Sequence, residues 1–447
     1  MIPIVTPPEM AAIDAASAES VDELIARAGS AVAWAARQVL GGVYGRRIVV
    51  LAGKGNNGAD GVVAASRLRA WGARVDVVDP FSTSQVDPCD LVVDAALGTG
   101  LNRAFEPPRV VSPVLAVDIP SGVDGLTGAV DGRALSASQT VTFQALKPGL
   151  LMHPGCGHAG RVNVVDIGLD VSHVRCHLVE TKDLFGWLPP RRPDRHKWHA
   201  ACWVLAGSDE MAGAAWLAAS AAARSGAGYV RLSTPGSESP MAPVEVVSHL
   251  LPESGWGAAL DDIERFGSVV IGPGLGRGDS VREEVRRGLR LTPVPVVVDA
   301  DALWALGDRF DTVAGRGAET VLTPHDGEFE HLTGSRPGSD RIEAARGLAR
   351  KIGAVVLLKG PTTVVASPVG DVLVVNSGDA RLATAGTGDV LAGVIGALLA
   401  RGVPAFQAAA AGAHIHGQAS ALAPAQSMVA SDLLPLLGEV FDATDLG

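Results

Sequence analysis

One pattern recurs along this chain and limits its fold: a short apolar run, a glycine-rich turn, then an alanine-rich stretch of helical length. That order predicts an α/β fold in which a mostly parallel sheet is covered by helices on both faces, a three-layer αβα arrangement. In the first half, strands are expected at 47–52, 74–78, 91–95, 114–118, 140–143 and 161–166. In the second half they are expected at 202–206, 229–233, 269–271, 294–298, 320–322 and 355–358. Runs at 362–366 and 371–375 flank the turn SPVG and read as a β-hairpin. Helices are expected at 213–225, 390–401 and 405–422.

A chain of 447 residues exceeds what one hydrophobic core usually organises. The segment LPPRRPDRHK (188–197) cannot sit in a helix interior or a central strand, and it serves as the linker. Two domains follow, 1–185 and 186–447.

Hydrophobic residues make up 47% and charged residues 19%, which describes a chain with ample core. The formal net charge of −11 and the lack of a basic stripe argue against nucleic acid as a partner. A phosphate-bearing ligand would then be held locally, by loop amides and helix ends. The four cysteines, Cys89, Cys156, Cys176 and Cys202, are scattered without metal spacing, which fits a reduced, cytoplasmic setting. No apolar stretch reaches the roughly 20 residues needed to span a bilayer, so no membrane association is expected.

In the N-terminal half, an apolar strand runs into GKGNNGADG (53–61), and a helix follows that stops at Gly72. The glycines permit a tight turn and close approach to a phosphate, and the helix end supplies free N–H groups. The spacing is not GxGxxG. A plain strand–turn–helix corner would use Asn and Gly too. Two more strand ends carry the same chemistry: Asp94-Ala95-Ala96-Leu97-Gly98-Thr99-Gly100 and Asp118-Ile119-Pro120-Ser121-Gly122. Ligands of doubly wound sheets bind at the carboxyl ends of strands, where such turns converge. A partly desolvated carboxylate there can serve as acid or base, although an Asp can also merely cap the turn.

NNGAD, VVDAALGTG and VDIPSGVDG, in that order, resemble the NAD(P)HX epimerase family, the YjeF N-terminal domain, with a Rossmann-like fold. Met10, Asp14, Arg27-Ala28-Gly29 and the tail TVTFQALKPGLL fit it as well. The resemblance implies that Asn56, Asn57, Gly58, Ala59 and Asp60 contact the hydrated cofactor. It implies the same for Gly98, Thr99, Gly100, Leu101, Asn102, Arg103, Ala104 and Asp118. It further implies a potassium ion on Asn57, Asp94 and Ser121, with Asp118 as catalytic acid/base. Ala59 stands where the family usually carries a second glycine.

The most specific signal is LATAGTGDVLAG (382–393), a glycine loop opening an apolar helix. Its amides would form an anion hole, and Asp389 in the first helical turn could take a proton from a hydroxyl beside it. An Asp that only complements the helix dipole would contribute just ~0.3–1 kcal/mol. Upstream, Lys359-Gly360-Pro361-Thr362-Thr363 ends a buried strand. His325 by itself reads as a hydrogen-bonded loop histidine, and His196, His199, His414 and His416 make no metal-spaced set with it.

GPGLG, VVDADAL, TPHDGEF, LLKGPTT and LATAGTGDVLAG, all in order, resemble the NAD(P)HX dehydratase family, the carbohydrate-kinase-like YjeF C-terminal domain of ribokinase-like fold. The resemblance implies ADP as co-substrate, with Mg2+, on Lys359, Gly360, Pro361, Thr362, Thr363 and Gly388. It implies the hydrated cofactor on Ala214, Gly276, His325 and Asp389, with Asp389 catalytic. His196-Lys197 lacks the glycine that the family places four residues after that lysine. Together the two resemblances imply repair of NADHX and NADPHX by a cytoplasmic bifunctional enzyme, and both families usually self-associate as homo-oligomers. A ribokinase-like small-molecule kinase fused to a nucleotide-binding module is the alternative, since GTGD serves that chemistry equally well. A non-catalytic binding protein is a third reading, against which Asp118 and Asp389 count.

Overall fold

The computed structural model describes residues 1–100, 104–190, 194, 196–237 and 241–445. Contacts divide the chain into two compact units, Ile2–Cys176 and His177–Gly447, with Met1 counted in the latter. This division precedes the proline- and arginine-rich segment because Val179 and Leu184 are buried in the core of the second unit. Of the linker, Arg191, Arg192, Pro193 and Arg195 lie outside the described residues.

The first unit opens with α1 (Pro7–Ala16) and α2 (Val21–Leu40), each begun by a capping box, on Thr6 and Ser20. Then come β1 (Arg47–Ala52), α3 (Asn56–Ala70), β2 (Arg74–Val78), β3 (Leu91–Ala95), β4 (Val114–Val117), β5 (Gln139–Phe143) and β6 (Arg161–Val165). The sheet is parallel throughout, in the order β2-β1-β3-β4-β5-β6. Strand alternation sorts the core. Ile48 and Val50 pack with Val32, Ala36, Ala64 and Leu68 of the helices. Val49 and Leu51 turn to the opposite face and pack with Val86, Phe105 and Leu135, which lie on irregular segments.

In the second unit the elements are β7 (Ala201–Leu205), α4 (Ala212–Arg224), β8 (Tyr229–Ser233), β9 (Val247–Ser248), β10 (Ser268–Ile271), α5 (Asp279–Leu291), β11 (Val296–Val298), α6 (Asp301–Leu306), β12 (Thr320–Leu322), α7 (Asp326–Thr333) and α8 (Arg341–Ile352). They continue with β13 (Val355–Leu358), β14 (Thr363–Ala366), β15 (Val372–Val375), α9 (Thr387–Ala400), α10 (Ala405–Leu422) and α11 (Leu433–Asp445). From β9 the order runs β9-β8-β7-β10-β11-β12-β13, all parallel, and β14 and β15 follow as the expected antiparallel hairpin, beyond which the short strand Cys176–Leu178 pairs. One face packs on α4, α9, α10 and α11 through Val204, Val270, Val297 and Leu357. Helices α5 to α8 carry buried Val285, Leu303, Phe329 and Leu348 outside that cluster.

Two boundaries differ from the sequence expectation. Helix α3 begins at Asn56, so NNGADG is its first turns and not a loop. A Cβ on Gly58 would lie 1.9 Å from the Gly53 carbonyl oxygen, so the helix can start this close to its strand only without one. The same helix ends at Ala70, with Trp71 as its cap and Gly72 beyond it at φ +89. No helix among the described residues is long and apolar enough to cross a membrane.

Candidate functional site

The turns after β1, β3 and β4 meet at a cavity of about 710 Å3 in the first unit. Of the residues singled out in the sequence, Asn56, Asn57, Asp60, Gly98, Thr99, Gly100 and Asp118 line it. Gly58 and Ala59 sit in the first turns of α3 without lining it, and Ala104 does not line it either. Leu101, Asn102 and Arg103 lie outside the described residues. Ala59 is helical and not at positive φ, so its methyl group is accommodated where the family has glycine.

Asp118 follows β4 in a left-handed conformation, φ +66, which an ordinary side chain rarely adopts. There its carboxylate meets Lys147, whose Nζ donates to Oδ1 at 2.6 Å. Lys147 is almost wholly buried, with a side chain 2% exposed. Its ammonium also donates to the Thr142 hydroxyl and to the carbonyls of Phe143 and Ala145, at 3.0, 3.1 and 3.3 Å. Thr142 donates in turn to Asp118 Oδ1 at 3.0 Å. Asp60 faces the same cavity and makes no ion pair among the described residues. Burial, and then the charge of Asp118, push its carboxyl up to about 8. Asp14, also on the cavity wall, is raised by burial, opposed by Lys147 and reinforced by Asp118.

Behind the cavity Asp94 is fully buried. Its carboxylate accepts from the Ser121 hydroxyl at 2.6 Å, the Ser121 amide at 2.8 Å and the Ala96 amide at 3.3 Å. Burial raises it despite those bonds. The amide oxygen and nitrogen of Asn57 are buried without a hydrogen-bond partner among the described residues, close to Gly98. A buried carboxylate, a hydroxyl and an unpartnered amide oxygen make a donor set of the kind a hard monovalent cation takes. No group of three or more His, Cys, Asp or Glu among the described residues offers a transition-metal site.

In the second unit, Gly386 takes φ +89 and caps α9, so the first amides of the helix lack intrahelical acceptors, although the Thr387 N–H donates back to the Thr384 carbonyl at 3.3 Å. Asp389 lies in the first turn of α9. Burial and the negative charge of Asp299 lift its carboxyl to about 7; Lys359 opposes this, and Asp301 and Glu328 add to it. Lys359 ends β13 and donates to Asp299 Oδ1 at 2.9 Å, with Glu328 Oε2 at 3.6 Å. Burial alone would lower this ammonium, but Asp299, Glu328 and Asp389 together raise it. Thr323 donates to the same Asp299 oxygen at 2.6 Å. Gly388 is adjacent, for a Cβ there would lie 3.6 Å from Lys359 Nζ.

The remaining residues predicted for this unit fall around that centre. Gly360, Pro361 and Thr363 border a small cavity under the hairpin, and Thr362 is buried. His325 is the N-cap of α7, its Nδ1 accepting from the amides of Gly327 and Glu328 at 3.0 and 3.2 Å. Gly276 donates its amide to Asp301 at 2.9 Å, and Arg277 donates to the other oxygen at 2.8 Å. Ala214 lies in α4 against Gly274.

No role is expected from the sequence for Lys147, Thr142, Asp299, Asp301 or Glu328, although all five sit in motifs quoted above. A lysine between two apolar stretches, as in QALKPG, is the one signal that could have drawn attention to Lys147.

Comparison with known proteins accounts for both units. A family model described as NAD(P)H-hydrate dehydratase matches residues 202–441, and one described as YjeF-related protein N-terminus matches 21–86 and 78–149. A bifunctional NAD(P)H-hydrate repair enzyme of Mycobacterium tuberculosis is 42% identical over 402 residues, covering 83% of this chain and 82% of its own. One from Escherichia coli K12 is 34% identical over 474 residues, covering 94% and 89%. The solved ADP/ATP-dependent NAD(P)H-hydrate dehydratase of Bacillus subtilis, co-crystallised with ATP and Mg2+, matches with a TM-score of 0.54 at 32% identity, covering 59% of this chain and 97% of its own. With both family models matched in order and relatives of this identity aligned along most of its length, the chain belongs to the family of bifunctional NAD(P)H-hydrate repair enzymes.

Proposed function

We propose that this chain repairs hydrated NADH and NADPH in the cytoplasm, with residues 1–185 interconverting the R and S hydrates and residues 186–447 dehydrating the S form at the expense of ADP. The observation that carries the reading is that each unit sets a carboxyl group raised by burial in the first turns of a helix that follows a glycine-rich turn.

In the first unit, the hydroxyl-bearing C6 of the hydrate sits between Asp118 and Asp60. Asp118 carries its charge against Lys147, and Asp60 holds a proton near neutral pH. The ring nitrogen's lone pair flattens C6 as the hydroxyl leaves with a proton from Asp60. Water returns on the other face and gives a proton to Asp118. Asn57, Asp94 and Ser121 would hold a potassium ion, which supplies positive charge near the phosphates and offsets the buried Asp94 carboxylate.

In the second unit, Asp389 takes the proton of the C6 hydroxyl as that oxygen attacks the terminal phosphorus of ADP, releasing AMP. The 386–388 amides and Lys359 hold the migrating charge. Phosphate then leaves C6, a proton leaves C5, and the ring double bond is restored. Mg2+ on the ADP phosphates would neutralise charge during transfer. Gly276, His325 and Ala214 would border the hydrate, and Lys359 to Thr363 with Gly388 would border the nucleotide.

The test is incubation of the purified protein with a mixed R and S hydrate plus ADP. Recovery of absorbance by the whole mixture supports both activities, and recovery of only the S portion would reject the first. Accumulation of a stable phosphorylated alcohol in place of NAD(P)H would favour a small-molecule kinase instead.

A further inference from the structure

His416, on α10, takes no part in the chemistry above, yet it is an unmet polar group beside the nucleotide segment. It is 5% exposed, and its Nε2 has no hydrogen-bond partner among the described residues. Leaving such a nitrogen unmet is unfavourable, and a bound ligand can relieve it. His416 borders a cavity of about 50 Å3 with Gly360, Pro361, Thr363, Leu382 and Leu391. The close approach that seats it there depends on its neighbour: a Cβ on Gly417 would lie 2.4 Å from Ser377 Oγ and 2.6 Å from the Gly378 amide nitrogen.

The chemistry of this corner selects one part of a nucleotide. Burial pushes the ring down to about 4, so it is neutral at physiological pH and a poor phosphate ligand. The phosphates have Lys359 and the 386–388 amides instead. Pro361, Leu382 and Leu391 present apolar walls, and a cavity of about 50 Å3 admits an exocyclic amino group from a base lying at its mouth rather than the ring itself. The Thr387 backbone favours the protonated ring, as a carbonyl accepting an N–H does. A neutral imidazole has one donor and one acceptor nitrogen, and the unpartnered Nε2 can take the acceptor role.

We propose that His416 is the base-reading residue of the dehydratase unit, its Nε2 accepting a hydrogen bond from the C6 amino group of adenine. The inference rests on the reading of 359–363 as the nucleotide segment. A purine with a carbonyl at C6 would set acceptor against acceptor and be refused.

The experiment compares ADP with IDP, which carries that carbonyl, in dehydration by the full-length protein. The wild type is expected to favour ADP by roughly tenfold or more in kcat/KM. His416→Leu should lower the value for ADP about tenfold, mainly through KM, while IDP stays within about twofold. His416→Gln, which keeps an acceptor, should retain part of the preference. Equal losses for ADP and IDP, or an unchanged preference in His416→Leu, would overturn the inference and leave the nucleotide site standing. Calorimetry on the wild type tests it without any variant, because equal affinity for ADP and IDP sinks it. Failure of the wild type to bind or use either nucleotide would instead reject the site reading and the inference with it.

Discussion

The two units place a lysine differently, and the placement decides which acid holds a proton. In the first, Lys147 is spent on Asp118, and Asp60, without an ion pair among the described residues, is the carboxyl pushed up to about 8. In the second, Lys359 bonds to Asp299 and approaches Glu328, and Asp389 is the one lifted to about 7. One buried cation among several carboxylates cannot satisfy them all, so burial raises whichever it leaves out. The first unit thereby gains an acid facing an ion-paired base; the second gains a base poised near working pH.

The largest expected effect breaks one unit and spares the other. Asp389→Asn should lower dehydration about a thousandfold, within the usual range for removing a general base, with epimerisation unchanged when the two are assayed separately. Undiminished dehydration would remove Asp389 from the chemistry. Next, Lys147→Met should lower epimerisation about a hundredfold and leave dehydration intact, because Asp118 would lose the partner that fixes it. A change in KM alone would reduce Lys147 to a packing role.

A subtler comparison is thermodynamic. The folded value of Asp60, about 8, lies above its ordinary 3.8, so the native state binds more protons than the unfolded state between those limits. Stability from this group is therefore full below about pH 4 and is lost as pH rises toward about 8. Asp60→Asn should remove that loss, making the variant more stable than the wild type by on the order of a few kcal/mol at pH 8, and by less at pH 5. Denaturant titrations at the two pH values check it, and an equal difference at both would contradict the assignment. The smallest effect is expected for Ala59→Gly. Ala59 is helical, so restoring the family's glycine should cost up to about 1 kcal/mol in the same titration.

Much of this was legible because it is local. The strand ends at Ala52, Ala95 and Leu358, the parallel order and the 363–375 hairpin follow from apolar runs and turn residues. Asp389 in a first helical turn follows from GTGD. The glycines of GKGNNGADG predict a tight turn that approaches a phosphate, whereas Gly58 serves to let a helix start against the Gly53 carbonyl. Sequence shows that a Cβ is missing, but not which atom would have met it.

By itself, the sequence determined the alternation of strand and helix, the two units, and the carboxylates and bare amides that gather at the strand ends, since each depends on residues near one another in the chain. Only the tertiary structure decided protonation and pairing. Lys147 reaches Asp118 across 29 residues, Lys359 reaches Asp299 across 60, and His416 comes under a hairpin that ends some forty residues earlier. Burial and charge act through space, and no spacing along the chain encodes the distance between groups that folding brings together.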